Sequence, residues 1–190
     1  QLGGGLTPGM EAQEILEYVP DMAKICEMDV LQLCNIDSTN MEPEVWTKLV
    51  LAIKENYDKY EGFVVLHGTD TMAYTSAALS YMVQNSRKPI VITGSQQPID
   101  TDGTDAKVNL RDSIIYACDD YSENVVLVFD GNVIAGTRAK KMRARSFNAF
   151  HSVNFPVLAR IQDSRIIRYI PYLPIREPVR FQESLSNSVC

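Results

Sequence analysis

The chain has 190 residues and a mass of 21.3 kDa, enough for one domain of ordinary size, or two small ones, with a full core. Lys and Arg number 18 against 24 Asp and Glu, a net charge of −6, the opposite of what a general nucleic-acid or membrane-surface binder carries. No apolar run approaches the roughly 20 residues that span a bilayer. The opening Gln1-Leu2-Gly3-Gly4-Gly5 is neither a signal-peptide pattern nor a natural start, so compartment is not legible there.

Strand and helix patterns alternate along the chain. Residues 29–35 (DVLQLCN) predict a strand. Pro43 then opens a helix in which Val45, Leu49, Ile53 and Tyr57 recur on one face. Residues 62–66 (GFVVL) form a continuous apolar run, as expected of a strand buried on both faces. A helix follows over about 71–84, whose small residues Ala73, Ala77, Ala78 and Ser80 suit close packing on a sheet. Residues 89–93 (PIVIT) predict the next strand and 106–118 the next helix. Residues 124–129 (NVVLVF) predict another strand, and Asp130-Gly131 is a hairpin signal toward 132–135. This βαβαβ order predicts an α/β fold with a mainly parallel sheet and helices on both faces. Proline-rich text from 164 onward predicts a last strand and then a linker or docking arm, with a polar tail from Gln182.

The four cysteines, Cys26, Cys34, Cys118 and Cys190, form no CxxC pair and no zinc spacing. Cys34 and Cys118 lie in apolar stretches and read as buried or unreactive thiols, a usage that fits a reducing compartment. His67 and His151 are the only histidines, which excludes a histidine-rich metal site.

In a parallel α/β sheet, ligands bind beyond the carboxyl ends of strands. Three hydroxyl-rich segments fall there: Ile36 to Asn40, His67 to Thr71 and Thr93 to Pro98. In the second, Gly68 permits a sharp turn, Thr69 projects over the sheet edge, and Asp70 or Thr71 caps the next helix. An ordinary helix cap explains this tetrapeptide alone, and it matches neither a P-loop nor GxGxxG. A reactive Thr69 needs a base. His67 lies two residues away, and the cationic run Arg138 to Arg145 offers Lys140 and Lys141. Clustered cations favour a neutral lysine if it is buried. A solvated basic loop is the simpler reading of that run. An RNA patch is weakened by the acidic balance and by the lack of interleaved aromatics.

Together these segments resemble the bacterial two-domain L-asparaginases that use a threonine nucleophile. The resemblance runs through Ile36-Asp37-Ser38-Thr39-Asn40-Met41, His67-Gly68-Thr69-Asp70-Thr71-Met72-Ala73 and Thr93-Gly94-Ser95-Gln96-Gln97-Pro98-Ile99. It continues through 105–110, Gly136-Thr137-Arg138 with Lys141, and Phe150 to Asn154. His67 points to the cytoplasmic, type I branch. The resemblance implies a flavodoxin-like N-terminal domain over 6–163, and over 164–190 a terminal strand and linker toward a second domain. It implies hydrolysis of L-asparagine to L-aspartate and ammonia through an acyl-threonine, without cofactor or metal, by a homodimer or homotetramer. No nucleic-acid or membrane partner is implied.

Residue by residue, Thr69, Asp70 and Lys141 match the family's Thr-Lys-Asp set. The lysine takes the proton of the threonine hydroxyl, or of a water through it, and Asp70 also binds the substrate α-amino group. Ser38 matches the residue holding the α-carboxylate, with Asp37 and Thr39 flanking it. The backbone carbonyl of Ser95 is expected to face the side-chain amide, and Gly68 to place a backbone N–H near it. The family's first strand, which ends in Thr-Gly-Gly-Thr-Ile and carries the primary nucleophile, has no match here. Thr7 falls beyond that nucleophile's position. Lys140 stands where type I enzymes with an asparagine effector site carry a threonine. Without that strand, two sheet edges are expected to lie unpaired near 62–66 and 29–35, so the fold needs another segment to complete it. Two other readings stand beside asparaginase: an amidase subunit of a tRNA-dependent amidotransferase, and a non-catalytic module that binds an amino acid.

Overall fold

The computed structural model describes residues 12–185. A short helix α1 (Ala12–Leu16) and a 3-10 turn (Pro20–Lys24) lead in. Then come α2 (Pro43–Asn56), β1 (Phe63–Leu66), α3 (Met72–Met82), β2 (Val83–Gln84), β3 (Ile90–Thr93) and α4 (Ala106–Ala117). The second half is mostly strand: β4 (Val125–Phe129), β5 (Asn132–Ala135), β6 (Ala139–Lys141), β7 (Phe150–Ser152), β8 (Ala159–Gln162), β9 (Arg165–Arg168) and β10 (Arg180–Phe181).

The main sheet has the order β1-β3-β4-β5-β8-β9. Its first three strands are parallel, joined by crossovers through α3 and α4. The remaining three turn antiparallel. The Asp130-Gly131 hairpin forms as expected, with both residues at positive φ (50° and 70°), the backbone that a two-residue hairpin requires. All residues of β3 and β4 are buried, which is why their sequences read as unbroken apolar runs. One side of the sheet packs Val50, Ile53, Met72, Leu79, Met82 and Ile92 into a core with Phe129 and Phe150. A separate cluster gathers Ile15, Val19 and Met22 against Leu110 and Ile114 of α4.

Three expectations are corrected. Residues 29–35 form no strand and lie exposed, with Leu31 at 65%. A strand is held by its ladder and by burial of its side chains, and none of the described strands forms a ladder with this segment. β1 is not buried on both faces: it is the edge of the sheet, with one strand neighbour, and Leu66 is 38% exposed. Cys34 and Cys118 are exposed rather than buried. Partial burial of the Cys118 thiol and the neighbouring Cys26 thiol nonetheless push its pKa up to about 12, which makes it a poor nucleophile. Cys190 lies outside the described residues.

The text after 164 docks back on the molecule. β9 pairs with β8, and β10 pairs with β2 at the end of α3. Lys54 of α2 forms an ion pair with Glu183 beyond it. No helix among the described residues is long and apolar enough to cross a membrane.

Candidate active site

The site is assembled at the carboxyl ends of β1 and β3. As β1 ends, His67 turns its ring under α3, where it is 7% exposed. Its Nδ1 lies 2.7 Å from Gly68 O and its Nε2 lies 2.8 Å from Thr75 Oγ1. A carbonyl only accepts, so Nδ1 carries the proton and Nε2 accepts from Thr75. Thr75 Oγ1 in turn accepts from Trp46 Nε1 at 2.8 Å. Burial holds the His67 pKa below its ordinary value. With both nitrogens occupied this way, His67 is not the base for Thr69, an option the sequence leaves open.

Beyond His67 the chain passes close over Ser38. A Cβ on Gly68 would stand 2.6 Å from Ser38 Oγ, so only glycine fits. Thr71 is the N-cap position of α3, yet its hydroxyl caps nothing; it donates to Ser38 O at 2.7 Å and ties the two segments together. Ser38 itself is buried in a 3-10 turn (Ser38–Asn40). Asp37 caps that turn, accepting from the Thr39 backbone N at 2.8 Å and from Thr39 Oγ1 at 2.9 Å. The backbone bond, then the hydroxyl bond, lower the Asp37 pKa.

Lys141 ends β6 and reaches back across 72 positions of sequence. Its Nζ donates to Thr69 Oγ1 at 2.7 Å and to Asp70 Oδ1 at 2.6 Å. The Lys141 side chain is 18% exposed and that of Asp70 59%, so the lysine is the sheltered partner and the carboxylate faces outward. The other cations of the run, Arg138, Lys140, Arg143 and Arg145, are exposed. Thr69, Asp70 and Lys141 are therefore brought together, and Ser38 and Gly68 touch. Ser95 is buried at the end of β3, and Asp37 and Thr39 lie exposed beside Ser38.

Sequence reasoning missed Gln96. Its Oε1 accepts from Thr69 Oγ1 at 3.0 Å. Its Nε2 donates to Ser146 O at 3.1 Å and to Arg143 O at 3.4 Å. A neutral amide within Thr93 to Pro98 carries no signal of charge or spacing that would have found it. Buried Asp105 fixes the same turn, accepting from Gln96 N at 3.0 and 2.9 Å and from Gln97 N at 3.1 Å.

A hydroxyl held by a lysine and an amide, at the mouth of a parallel sheet, defines an α/β protein with a threonine-centred polar site. The model for the asparaginase N-terminal region matches residues 1–171, and the chain belongs to the asparaginase family. It is 37% identical over 190 residues to the L-asparaginase of Thermococcus kodakarensis, covering 97% of this chain and 56% of that protein. The solved structure of the thermostable L-asparaginase from that organism superposes with a TM-score of 0.81 at 33% identity, covering 93% of this chain and 54% of that one. L-asparaginase 1 of Escherichia coli K12 is 44% identical over 123 residues, covering 65% of this chain and 36% of that protein. A glutamyl-tRNA(Gln) amidotransferase subunit from Metallosphaera sedula is 35% identical over 166 residues, covering 83% of this chain and 38% of that protein. The chain thus spans about half the length of the first of these relatives, and less of the other two.

Proposed function

We propose that the protein hydrolyses the side-chain amide of L-asparagine to L-aspartate and ammonia, through a threonine acyl-enzyme, and that this chain supplies the Thr69–Lys141–Asp70 half of the site. The observation that carries the reading is the pair of bonds from Lys141 Nζ to Thr69 and Asp70, which join residues far apart in sequence at the sheet edge. Lys141 takes the proton of the Thr69 hydroxyl, or of a water held by it. The threonine oxygen adds to the side-chain amide carbon, the C–N bond breaks, and the nitrogen takes that proton and leaves as ammonia. Water then adds to the acyl carbon, its proton passes back to the threonine oxygen as the ester breaks, and aspartate leaves.

Asp70 serves two partners: one oxygen holds Lys141, and its exposure leaves the other for the substrate α-ammonium. Ser38 holds the α-carboxylate, with Asp37 and Thr39 beside it. The Ser95 carbonyl meets the amide nitrogen, and backbone N–H groups near Gly68 stabilise the developing oxyanion. The protein works as a homodimer or homotetramer in the cytoplasm.

Thr69→Val in the intact protein tests this. Turnover of asparagine is expected to fall at least ~100-fold, the scale of losing a nucleophilic or acid–base element, while the melting temperature stays near wild type. Retained turnover would return Thr69 to a structural role. The likeness to the amidotransferase component favours a second reading, an amidase that feeds ammonia to charged tRNA. Ammonia released only when tRNA and the other amidotransferase component are present would favour that reading.

A further inference from the structure

The geometry points to Gln96 as a positioning residue that fixes the Thr69 hydroxyl and couples it to the loop between β6 and β7. This rests on the catalytic reading of Thr69 above. Carbonyl oxygens only accept, so the two contacts to Arg143 O and Ser146 O require the Gln96 amide nitrogen at that end. Oε1 must then face Thr69, and the Thr69 hydrogen is donated to it. That leaves the Thr69 oxygen lone pairs turned to Lys141, which donates to it. One hydroxyl hydrogen has one direction, and Gln96 sets it.

Both ends of this bridge are anchored. The Gln96 backbone is held by the buried Asp105 carboxylate. The loop is closed on itself: Met142 N donates to Ala149 O at 2.7 Å, and Arg143 Nη1 donates to Asn148 O at 2.8 Å and Oδ1 at 2.9 Å. A shift of that loop therefore pulls on the amide nitrogen and releases or rotates the oxygen that holds Thr69. The Thr69 hydrogen has to leave Gln96 before Lys141 can take it, so Gln96 governs both the placement of the oxygen and the start of proton transfer.

Two substitutions separate the ends of the side chain. Gln96→Met keeps the length and removes both; Gln96→Glu keeps an acceptor for Thr69 and removes the donors to the loop. In the intact protein, Gln96→Met is expected to lower kcat about 10-fold, with KM changed less than about 3-fold, as for an interaction acting on the reacting hydroxyl rather than on binding. Gln96→Glu is expected to restore kcat to within about 3-fold of wild type, because the acceptor remains. The loop is read separately by limited trypsin digestion, with mass spectrometry of cleavage after Arg143 and Arg145. Both variants are expected to speed cleavage there about 10-fold, the loss of one or two hydrogen bonds.

Equal loss of kcat in both variants, tracking a fall in melting temperature, would make Gln96 a packing residue and overturn the inference. So would wild-type kcat in Gln96→Met, or cleavage unchanged in both variants. If the wild type releases no ammonia from asparagine, or Thr69→Val keeps full turnover, the catalytic reading fails by itself. The digestion then still decides whether the Gln96 bridge to the loop exists.

Discussion

The His67 ring sits between a carbonyl and the Thr75 hydroxyl, and a second ring proton would face an oxygen already donating to that nitrogen. Burial lowers its pKa in the fold, against the Gly68 carbonyl bond that favours the charged ring, and the unfolded chain binds the proton first as pH falls. The stability this contributes is present above the ordinary histidine value of about 6.5 and is lost as pH drops below it. Asp112 works in the opposite sense. Burial, outweighing the neighbouring Arg111 and reinforced by Asp130, raises its pKa to about 6. The folded state keeps this proton after the unfolded chain has released it, so stability is lost as pH rises through about 6. Asp112→Asn is expected to be more stable than wild type at about pH 8, with the gain shrinking toward about pH 4. His67→Gln is expected to flatten the acid limb below about pH 6.5. Urea unfolding across that range checks both, and a pH-independent effect of either substitution would show the group does not titrate with folding.

At the same scale, what the sequence made legible depended on chemistry with a local imprint. Thr69 sits between a glycine and an aspartate after an apolar run, and that is readable. Lys141 is one of two lysines in a basic run, and only the turn of β6 decides that it, and not Lys140, faces the site. His67 is two residues from Thr69, but its partner is Thr75, one helical layer inward. The role of Gln96 depends on where two loop carbonyls fall, which no spacing encodes.

Among the elements, α3 lies close on the sheet where Gly136 passes under it. A Cβ at 136 would stand 2.3 Å from Ser80 Oγ, 2.9 Å from Ser76 O and 3.0 Å from Val125 O. Two of the three are backbone atoms on separate elements and cannot rotate away. Gly136→Ala is expected to cost about 1–3 kcal/mol, the scale of overpacking, measured by urea denaturation. Adding Ser80→Ala removes the nearest contact and is expected to recover part of that loss and not all of it; full recovery would mean the backbone contacts relax freely. The small residues of α3 signal this closeness, and the apolar runs at β1, β3 and β4 signal strands, because both are patterns within one element. Residues 29–35 (DVLQLCN) are also rich in apolar residues and form no strand, since pairing is set by distant segments. The β6–β7 hairpin reads in sequence as a basic loop because it is short and polar.

For the whole molecule, the parallel half of the sheet ends on β1, whose outer side has no strand partner among the described residues. Near this edge in the order of the chain lie apolar side chains turned to solvent: Val30, Leu31, Leu33 and Ile36 before α2, and Leu66 at the end of β1 itself. An unpaired edge offers a row of N–H and C=O groups to any strand that meets it, and exposed apolar residues favour such meetings. The 190-residue chain produced by itself is therefore expected to associate. In light scattering at about 50 μM it should give a mass well above 21.3 kDa, rising with concentration. Leu31→Glu with Leu33→Glu places like charges along the exposed stretch and is expected to shift the population toward monomer, as edge charges do in natural sheets. A chain that stays monomeric at that concentration without these substitutions would show that the β1 edge is protected by its own neighbours.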